Sequence, residues 1–330
     1  MNKKTILTGL KPTGEMTLGN YIGAINQLVN MQKDFDTIYL FIADLHALTI
    51  KQDKKLLEER IKKFLAMYMA CGVDPEKTIV YLQSENPYIP AMSYLLECTT
   101  YYGEASRMIQ FKEKSKENKN FSVGLLTYPI LMAADILYCD ANYVPVGIDQ
   151  KQHVELARDI AERFNKLYGE TFVLPEPYVA KTSLKIKDLK NPEKKMSKSE
   201  ANPNGVISLF DTEKDIRKKI MGATTDSIGR VHFDEENQKG ISNLLNIASC
   251  LTGKTVASIE EEFKDSNYGT FKKYVADVTC AKIMDIQEKY NKLLGSDYLQ
   301  EILDKGAKVS RRLAKDKYEK MTKLMGLNRC

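Results

Sequence analysis

Three short runs of β-branched and aromatic residues, at 5–9, 37–43 and 78–82, most constrain how this chain can fold. The second, Thr-Ile-Tyr-Leu-Phe-Ile-Ala, is apolar at nearly every position rather than at alternate ones. That pattern belongs to a parallel strand buried on both faces. A long amphipathic stretch at 54–71 separates the second run from the third, and a turn through Lys11 and Pro12 leads from the first into a helix expected to run from Gly19 through Leu28 to Met31. Strands that alternate with helices at this spacing predict an open α/β sheet with crossover helices. Further on, the spacing predicts a helix over 127–139, a short strand at 143–146 and a helix over 150–168. Past Pro175 and Pro177 the pattern loosens, and from about residue 211 it reads mainly helical, as at 211–221 and 271–294. The polar tract at 112–119 reads as an exposed flexible loop.

Composition excludes several classes. Hydrophobic residues make up 43% of the 330 and charged residues 28%, the balance of an ordinary globular protein. No apolar run approaches the roughly 20 residues that span a bilayer, and Met1-Asn2-Lys3-Lys4 is not followed by a signal-peptide core. The expectation is a cytoplasmic protein with no membrane partner. The six cysteines are scattered, with no CxxC pair and no histidine at zinc-ligand spacing, so no structural metal is expected. The net charge of +5 is mild, but Lys308, Arg311, Arg312, Lys315, Lys317, Lys320, Lys323 and Arg329 crowd the C-terminus against only Asp316 and Glu319. An RNA backbone and a solvated helix face both account for such a stretch.

Two segments carry nucleotide chemistry. Pro12-Thr13-Gly14-Glu15-Met16-Thr17-Leu18-Gly19-Asn20 sits where the first strand gives way to the first helix, the usual nucleotide crevice of an open α/β sheet. Gly14 and Gly19 permit close approach, while Thr17 and Asn20 can donate hydrogen bonds to phosphate oxygens. Far downstream, Lys195-Met196-Ser197-Lys198-Ser199 is flanked by Pro192 and Pro203. Two cations on such a loop can neutralise charge growing on a leaving pyrophosphate. Each segment alone also fits an ordinary turn or exposed loop. In this order, and around this α/β pattern, the pair resembles the class I aminoacyl-tRNA synthetases. That family usually has His-Ile-Gly-His in the first segment. Thr17 and Asn20 depart from it as tryptophanyl and tyrosyl members often do.

A third segment narrows the resemblance. Tyr128, Met132 and Asp135 stand at i, i+4 and i+7 and share one helix face. Pro129 fits the first helical turn of a helix opening near Thr127, where its missing N–H costs nothing. A carboxylate among Ile130, Leu131, Ala133, Ala134, Ile136 and Leu137 is costly unless paired. Asp135 is therefore either satisfied by a backbone group or kept for a ligand donor such as an indole N–H or a phenol. Tyrosyl enzymes have Gln at the place of Met132, and a soft apolar methionine suits an indole ring. The string at 126–137, with Val144-Pro145-Val146-Gly147-Ile148-Asp149-Gln150-Lys151-Gln152-His153 and Gly240-Ile241-Ser242-Asn243-Leu244-Leu245-Asn246-Ile247, resembles the tryptophanyl family almost end to end.

The resemblance implies a Rossmann-like parallel-sheet catalytic domain at 1–200 and a helical domain for the tRNA anticodon at 201–295. A basic helix at 296–330 would pack back on the first. It implies ATP as substrate, with Mg²⁺ held mainly by the phosphates and no protein metal ligands. It places Lys11, Pro12, Thr13, Thr17, Gly19, Asn20, Gly147, Ile148, Asp149, Gln150, Ile186 and residues 195–199 (Lys195, Met196, Ser197, Lys198, Ser199) at ATP. Lys114 would be a third lysine on the triphosphate, and Asp135, Tyr128, Met132, His46 and Gln110 would hold L-tryptophan. Catalysis would fall to Thr17, Asn20, Lys114, Lys195 and Lys198. The family is dimeric and acts on tRNA(Trp), not DNA. At the position of Lys11 it commonly has Gln, a departure expected to alter magnesium dependence or inhibitor response. Arg217, Lys218 and Lys219 are candidates for reading the anticodon. Tyrosine activation, a catalytically silent RNA-binding relative and a small nucleotidyltransferase are the alternatives.

Overall fold

The three apolar runs become β1 (Thr5–Leu10), β2 (Thr37–Ile42) and β3 (Thr78–Leu82) of a computed structural model that describes residues 4–12, 16–117, 120–147, 150–178, 185–197 and 202–327. With β4 (Tyr143–Pro145) and β5 (Glu176–Tyr178) they form one parallel sheet in the order β3-β2-β1-β4-β5. The chain winds outward from β1 to β3, then crosses back to β4. The order therefore reverses between β1 and β4, and a crevice opens there beyond the carboxyl ends of the strands.

Period-two alternation divides the strand side chains between two cores. Ile6, Ile38, Leu40, Ile42 and Val80 face one side. There they meet α1 (Leu18–Asn20), a π-helical turn at Tyr21–Ile25, α2 (Asn26–Met31) and, after the short α3 (Asp44–Ala47), α4 (Lys54–Ala70). Leu7, Tyr39, Phe41 and Tyr81 face the other side. That layer is built from α5 (Tyr88–Glu97), α6 (Tyr102–Ser106), α7 (Ile109–Glu117), α8 (Val123–Leu137) and α9 (Lys151–Tyr168). On α9, Val154, Ala157, Ile160, Ala161 and Phe164 make a buried stripe at helical spacing. Asp53 caps α4 by accepting from the Leu56 amide at 3.0 Å.

The remaining chain is helical: α10 (Glu213–Met221), α11 (Lys239–Thr252), α12 (Val256–Phe263), α13 (Tyr268–Leu294) and α14 (Tyr298–Leu324). α11 and α13 extend the first core through Ile241, Leu244, Phe271, Val275 and Ile283. α14 lies along β3, the exposed edge of the sheet. A Cβ on Gly306 would stand 1.8 Å from the Val80 carbonyl oxygen, so only glycine lets the helix reach that backbone. Its Lys317 donates to Asp140 Oδ1 at 2.6 Å and to the Thr171 carbonyl at 2.9 Å. This cation of the basic stretch holds the helix down and is not offered to a partner. Among the described residues no helix is long and apolar enough to cross a membrane.

Two expectations need correction. The tract at 112–119 is not a loop over its described part: α7 runs to Glu117, anchored where Phe111 meets Phe121 edge-on at 5.4 Å and where the Ile109 amide donates to Gln152 Oε1 at 2.9 Å. Tertiary contacts override the polarity of the segment. The helix carrying Asp135 starts at Val123, not near Thr127, with Ser122 in extended backbone before it. Pro129 is thus inside the helix rather than in its first turn, and it leaves the Leu125 carbonyl without its usual i+4 donor.

Candidate active site

The crevice between β1 and β4 holds a cavity of about 350 Å³. Its floor is the end of β1 and β2, where Phe41 lies across Gly9. A Cβ at Gly9 would fall 2.4 Å from the Phe41 ring, so the glycine makes room for the aromatic floor. Asp135 on α8, His46 on α3, Gln110 and Lys114 on α7, and Lys11 beyond β1 all reach this space. Tyr128, Met132, Gly147 and Gln150 line it too, so the face read from the i, i+4, i+7 spacing does point into one cavity.

Asp135 is fully buried. Its Oδ2 accepts from Gln83 Nε2 at 2.7 Å and lies 2.9 Å from His46 Nε2. Its Oδ1 is buried and has no partner. Burial pushes the carboxyl above its ordinary range, while His46 and Gln83 pull it back. A buried acceptor left empty costs about 1–3 kcal/mol, a cost that a ligand donor entering the cavity would remove. Gln83 was not singled out in the sequence. Its only signal there is a polar residue directly after a parallel strand, at the carboxyl end where ligands bind. Asp44, beside His46, accepts from the Ser84 amide at 3.0 Å and from the Ser84 hydroxyl, tying the turn after β2 to the turn after β3.

The mouth of the cavity is cationic. The Lys114 and Lys11 ammonium groups stand 5.7 and 5.9 Å from the centre of the Tyr128 ring. Partial burial and the charge of Lys114 hold the Lys11 amine below its usual value. Lys114, expected on the sequence alone to be a solvated loop residue, is half-buried on a helix against the site.

Thr17, Gly19 and Asn20 form a second group at the start of α1. Thr17 caps α1: its Oγ1 accepts from the Asn20 amide at 3.2 Å, and Asn20 Oδ1 accepts from the Thr17 amide at 3.0 Å. The turn is held by backbone pairing, from the Leu18 amide to the Ile207 carbonyl and from the Leu209 amide to the Met16 carbonyl, both at 2.9 Å. The downstream segment comes to the same place. Met196 is buried, its amide donates to the Ile186 carbonyl at 2.9 Å, and its Cβ would lie 3.4 Å from a Cβ on Gly19. Two segments more than 170 residues apart in sequence thus meet at Gly19 and Met196, and Lys195 next to them is exposed. Pro12 is buried. The Ile186 side chain is buried in the same core cluster as Leu18 and Met196, and its carbonyl accepts from the Met196 amide. Thr13, Ile148, Asp149, Lys198 and Ser199 lie outside the described residues.

The basic candidates of the helical region are partly committed. Arg217 pairs with Glu213 and Asp277, and Lys219 with Asp211 at 2.6 Å, while Lys218 is exposed.

Residues 1–282 match the model of the tRNA synthetases class I (W and Y). The tryptophan–tRNA ligase of Halalkalibacterium halodurans is 47% identical over 99% of both chains. Among solved structures, tryptophanyl-tRNA synthetase from Mycoplasma pneumoniae superposes with a TM-score of 0.85 at 34% identity, covering 99% of this chain and 98% of its own. The Campylobacter jejuni enzyme complexed with ADP and tryptophan gives 0.84 at 36%, covering 98% and 99%. The chain belongs to the class I tRNA synthetases of the tryptophan and tyrosine family, in the branch of the bacterial tryptophan–tRNA ligases.

Proposed function

We propose that this chain activates L-tryptophan with ATP and transfers it to tRNA(Trp). The observation that carries the choice of amino acid is the empty Oδ1 of Asp135, buried at the end of an apolar cavity beside Met132. An indole N–H fills that acceptor, and the methionine lies against the ring. Asp135 Oδ1 would also accept from a phenol, and tyrosine activation is the weaker reading because Met132 stands where tyrosyl enzymes have Gln.

In the first step the tryptophan carboxylate attacks the α-phosphorus of ATP. The carboxylate–phosphorus bond forms, the bond to the bridging oxygen breaks, and pyrophosphate leaves with the electron pair. Lys11 and Lys114, at the mouth of the cavity, would meet the carboxylate and the phosphates. Thr17, Gly19 and Asn20, with Thr13, Gly147, Ile148, Asp149, Gln150 and the Ile186 backbone, would cradle ATP. Lys195 and Lys198, with Met196, Ser197 and Ser199, would close on the leaving group. In the second step a terminal ribose hydroxyl of the tRNA attacks the acyl carbonyl and AMP leaves. No side-chain nucleophile is needed, and positioning with charge neutralisation supplies the acceleration. Mg²⁺ would be held mainly by the ATP phosphates.

Residues 1–200 would carry catalysis, 201–295 would meet the anticodon and 296–330 would form a helix on the catalytic unit. Lys218 is the exposed candidate for RNA. A homodimer follows from the family, and Tyr94, Tyr101, Tyr102, Ile109, Phe121 and Val123, each exposed between α5 and α8, are the apolar side chains offered to a partner. The test is pyrophosphate exchange with tryptophan against tyrosine. Exchange with tryptophan alone supports the proposal; equal exchange with tyrosine, or none with either, overturns it. The chain has no tryptophan of its own, so binding can be followed by the fluorescence of the added amino acid.

A further inference from the structure

The run Gly240-Ile241-Ser242-Asn243 lies in the first turn of α11, and the proposed reaction makes no use of it. Gly240 meets the backbone of Thr224: a Cβ there would stand 2.0 Å from the Thr224 carbonyl oxygen, so only glycine lets α11 come this close. Ile241 is in the core, and Ser242 Oγ accepts from the Asp234 amide at 2.8 Å. Asn243, 4% exposed, turns to a different segment. Its Oδ1 accepts from the Lys187 amide at 2.8 Å, and its Nδ2 donates to the Lys187 carbonyl at 3.0 Å.

Lys187 belongs to the ribbon that carries Lys195, and the two residues face each other across an antiparallel bridge. The bonds that make the bridge flank the pair: the Met196 amide donates to the Ile186 carbonyl and the Asp188 amide to the Lys194 carbonyl, both at 2.9 Å. In such a pair the N–H and C=O of the central residue point outward, away from the partner strand. A third strand would ordinarily take them. Here the Asn243 carboxamide does, with its one donor and one acceptor set like those of a peptide group. One turn earlier on the same face of α11, Lys239 pairs with Glu193 in the turn of the ribbon. The Thr224 amide, beside Gly240, donates to the Leu189 carbonyl at 2.8 Å. At the other end of the ribbon, Met196 lies against Gly19.

We propose that Asn243 is a positioning residue for adenylate formation: standing in for a strand, it fixes the 186–196 ribbon and so sets where the Lys195 ammonium meets the leaving pyrophosphate. The inference rests on the proposed reading of Lys195 as that cation. A lysine on a flexible stem is placed only as well as its backbone is held. A two-stranded ribbon is marginal on its own, so two further bonds from one buried side chain weigh heavily on its order. Asn243 therefore acts on the reaction through the ribbon, without touching either substrate.

Wild type, Asn243→Leu, Lys195→Ala and the double variant are compared as full-length proteins. Asn243→Leu keeps the side-chain volume and removes both bonds. Hydrogen exchange read by mass spectrometry should show the 186–196 amides opening about tenfold faster in Asn243→Leu, the scale of losing one or two hydrogen bonds, with β1 unchanged. The kcat of pyrophosphate exchange with tryptophan should fall about tenfold, while the fluorescence Kd for tryptophan stays within about twofold. In the Lys195→Ala background, adding Asn243→Leu should cost less than about twofold more, because the group it positions is gone. Unchanged protection of the ribbon, or a wild-type kcat, overturns the proposal. So does a loss of tryptophan affinity in step with kcat, the mark of a merely structural residue. A tenfold loss that persists in the Lys195→Ala background overturns it as well. Absence of exchange in the wild type is a separate outcome: the proposed function then fails, while ribbon protection still decides whether Asn243 holds the segment.

Discussion

The two halves of the site are held in opposite ways. The cavity proposed for the amino acid is fixed by buried side chains: Asp135, His46 and Gln83 form one hydrogen-bonded cluster, and Tyr128 with His153 another. The half proposed for the phosphates is fixed by backbone pairing around Thr17–Asn20 and at Met196, while Lys195, a candidate cation there, is exposed. A specificity pocket gains from rigid, desolvated partners, because a wrong ligand then leaves buried polar groups unpaired. A triphosphate that must enter, react and leave as pyrophosphate is served by cations that stay solvated until it arrives.

The comparison breaks most easily at Asp135. Asp135→Ala should lower kcat/KM for tryptophan roughly 10²–10³-fold, since it leaves His46 and Gln83 facing an empty space as well as removing the acceptor. ATP affinity should change little, measured by exchange at varied ATP. Equal losses for both substrates would mean that the halves are not separate. Next is acid stability, which should belong to the buried half. His153 titrates near 6.5 unfolded and at about 4 folded, so the unfolded chain binds the extra proton between these values. Its contribution is present above pH 6.5 and is lost as pH falls toward 4, to a limit of about 3 kcal/mol. Denaturant melts of wild type and His153→Gln at pH 7 and 4.5 should show a smaller acid loss in the variant.

Lys195→Ala tests the exposed half. It should slow pyrophosphate exchange by about two orders of magnitude, with the fluorescence Kd for tryptophan unchanged. Gly9→Ala presses on the Phe41 ring and should raise KM for tryptophan several-fold, on the order of 1–3 kcal/mol of overpacking, leaving KM for ATP as it was. Lys11→Gln should have the smallest effect, within about threefold in kcat/KM for each substrate, and should show as a changed magnesium or inhibitor response. A wild-type profile in every condition would remove Lys11 from the boundary between the two halves.

Some of this was legible from residues alone. Strands β1 to β3 follow directly from their apolar runs, and the Tyr128–Met132–Asp135 face follows from helical geometry. The start of α8 was not legible, because a proline reads as a first-turn residue until packing carries the helix past it. Nor was α7: its polar composition matches a loop, and only Phe111 against Phe121, with Gln152, makes it a helix against the site.

Local chemistry written in the sequence therefore determined the strand runs, the glycine turn from β1 into the first helix, the lysine segment and the carboxylate on an apolar helix. These depend on near neighbours along the chain, and their physics acts over one or two turns. Tertiary structure alone decided that Gln83 and His46 share one oxygen of Asp135 and leave the other open. It also decided that Met196 covers Gly19, that Gly306 seals the β3 edge and that His153 stands behind Tyr128. Each is a contact between residues far apart in sequence, set by how the helices bury their apolar faces on the sheet, and no local pattern encodes it.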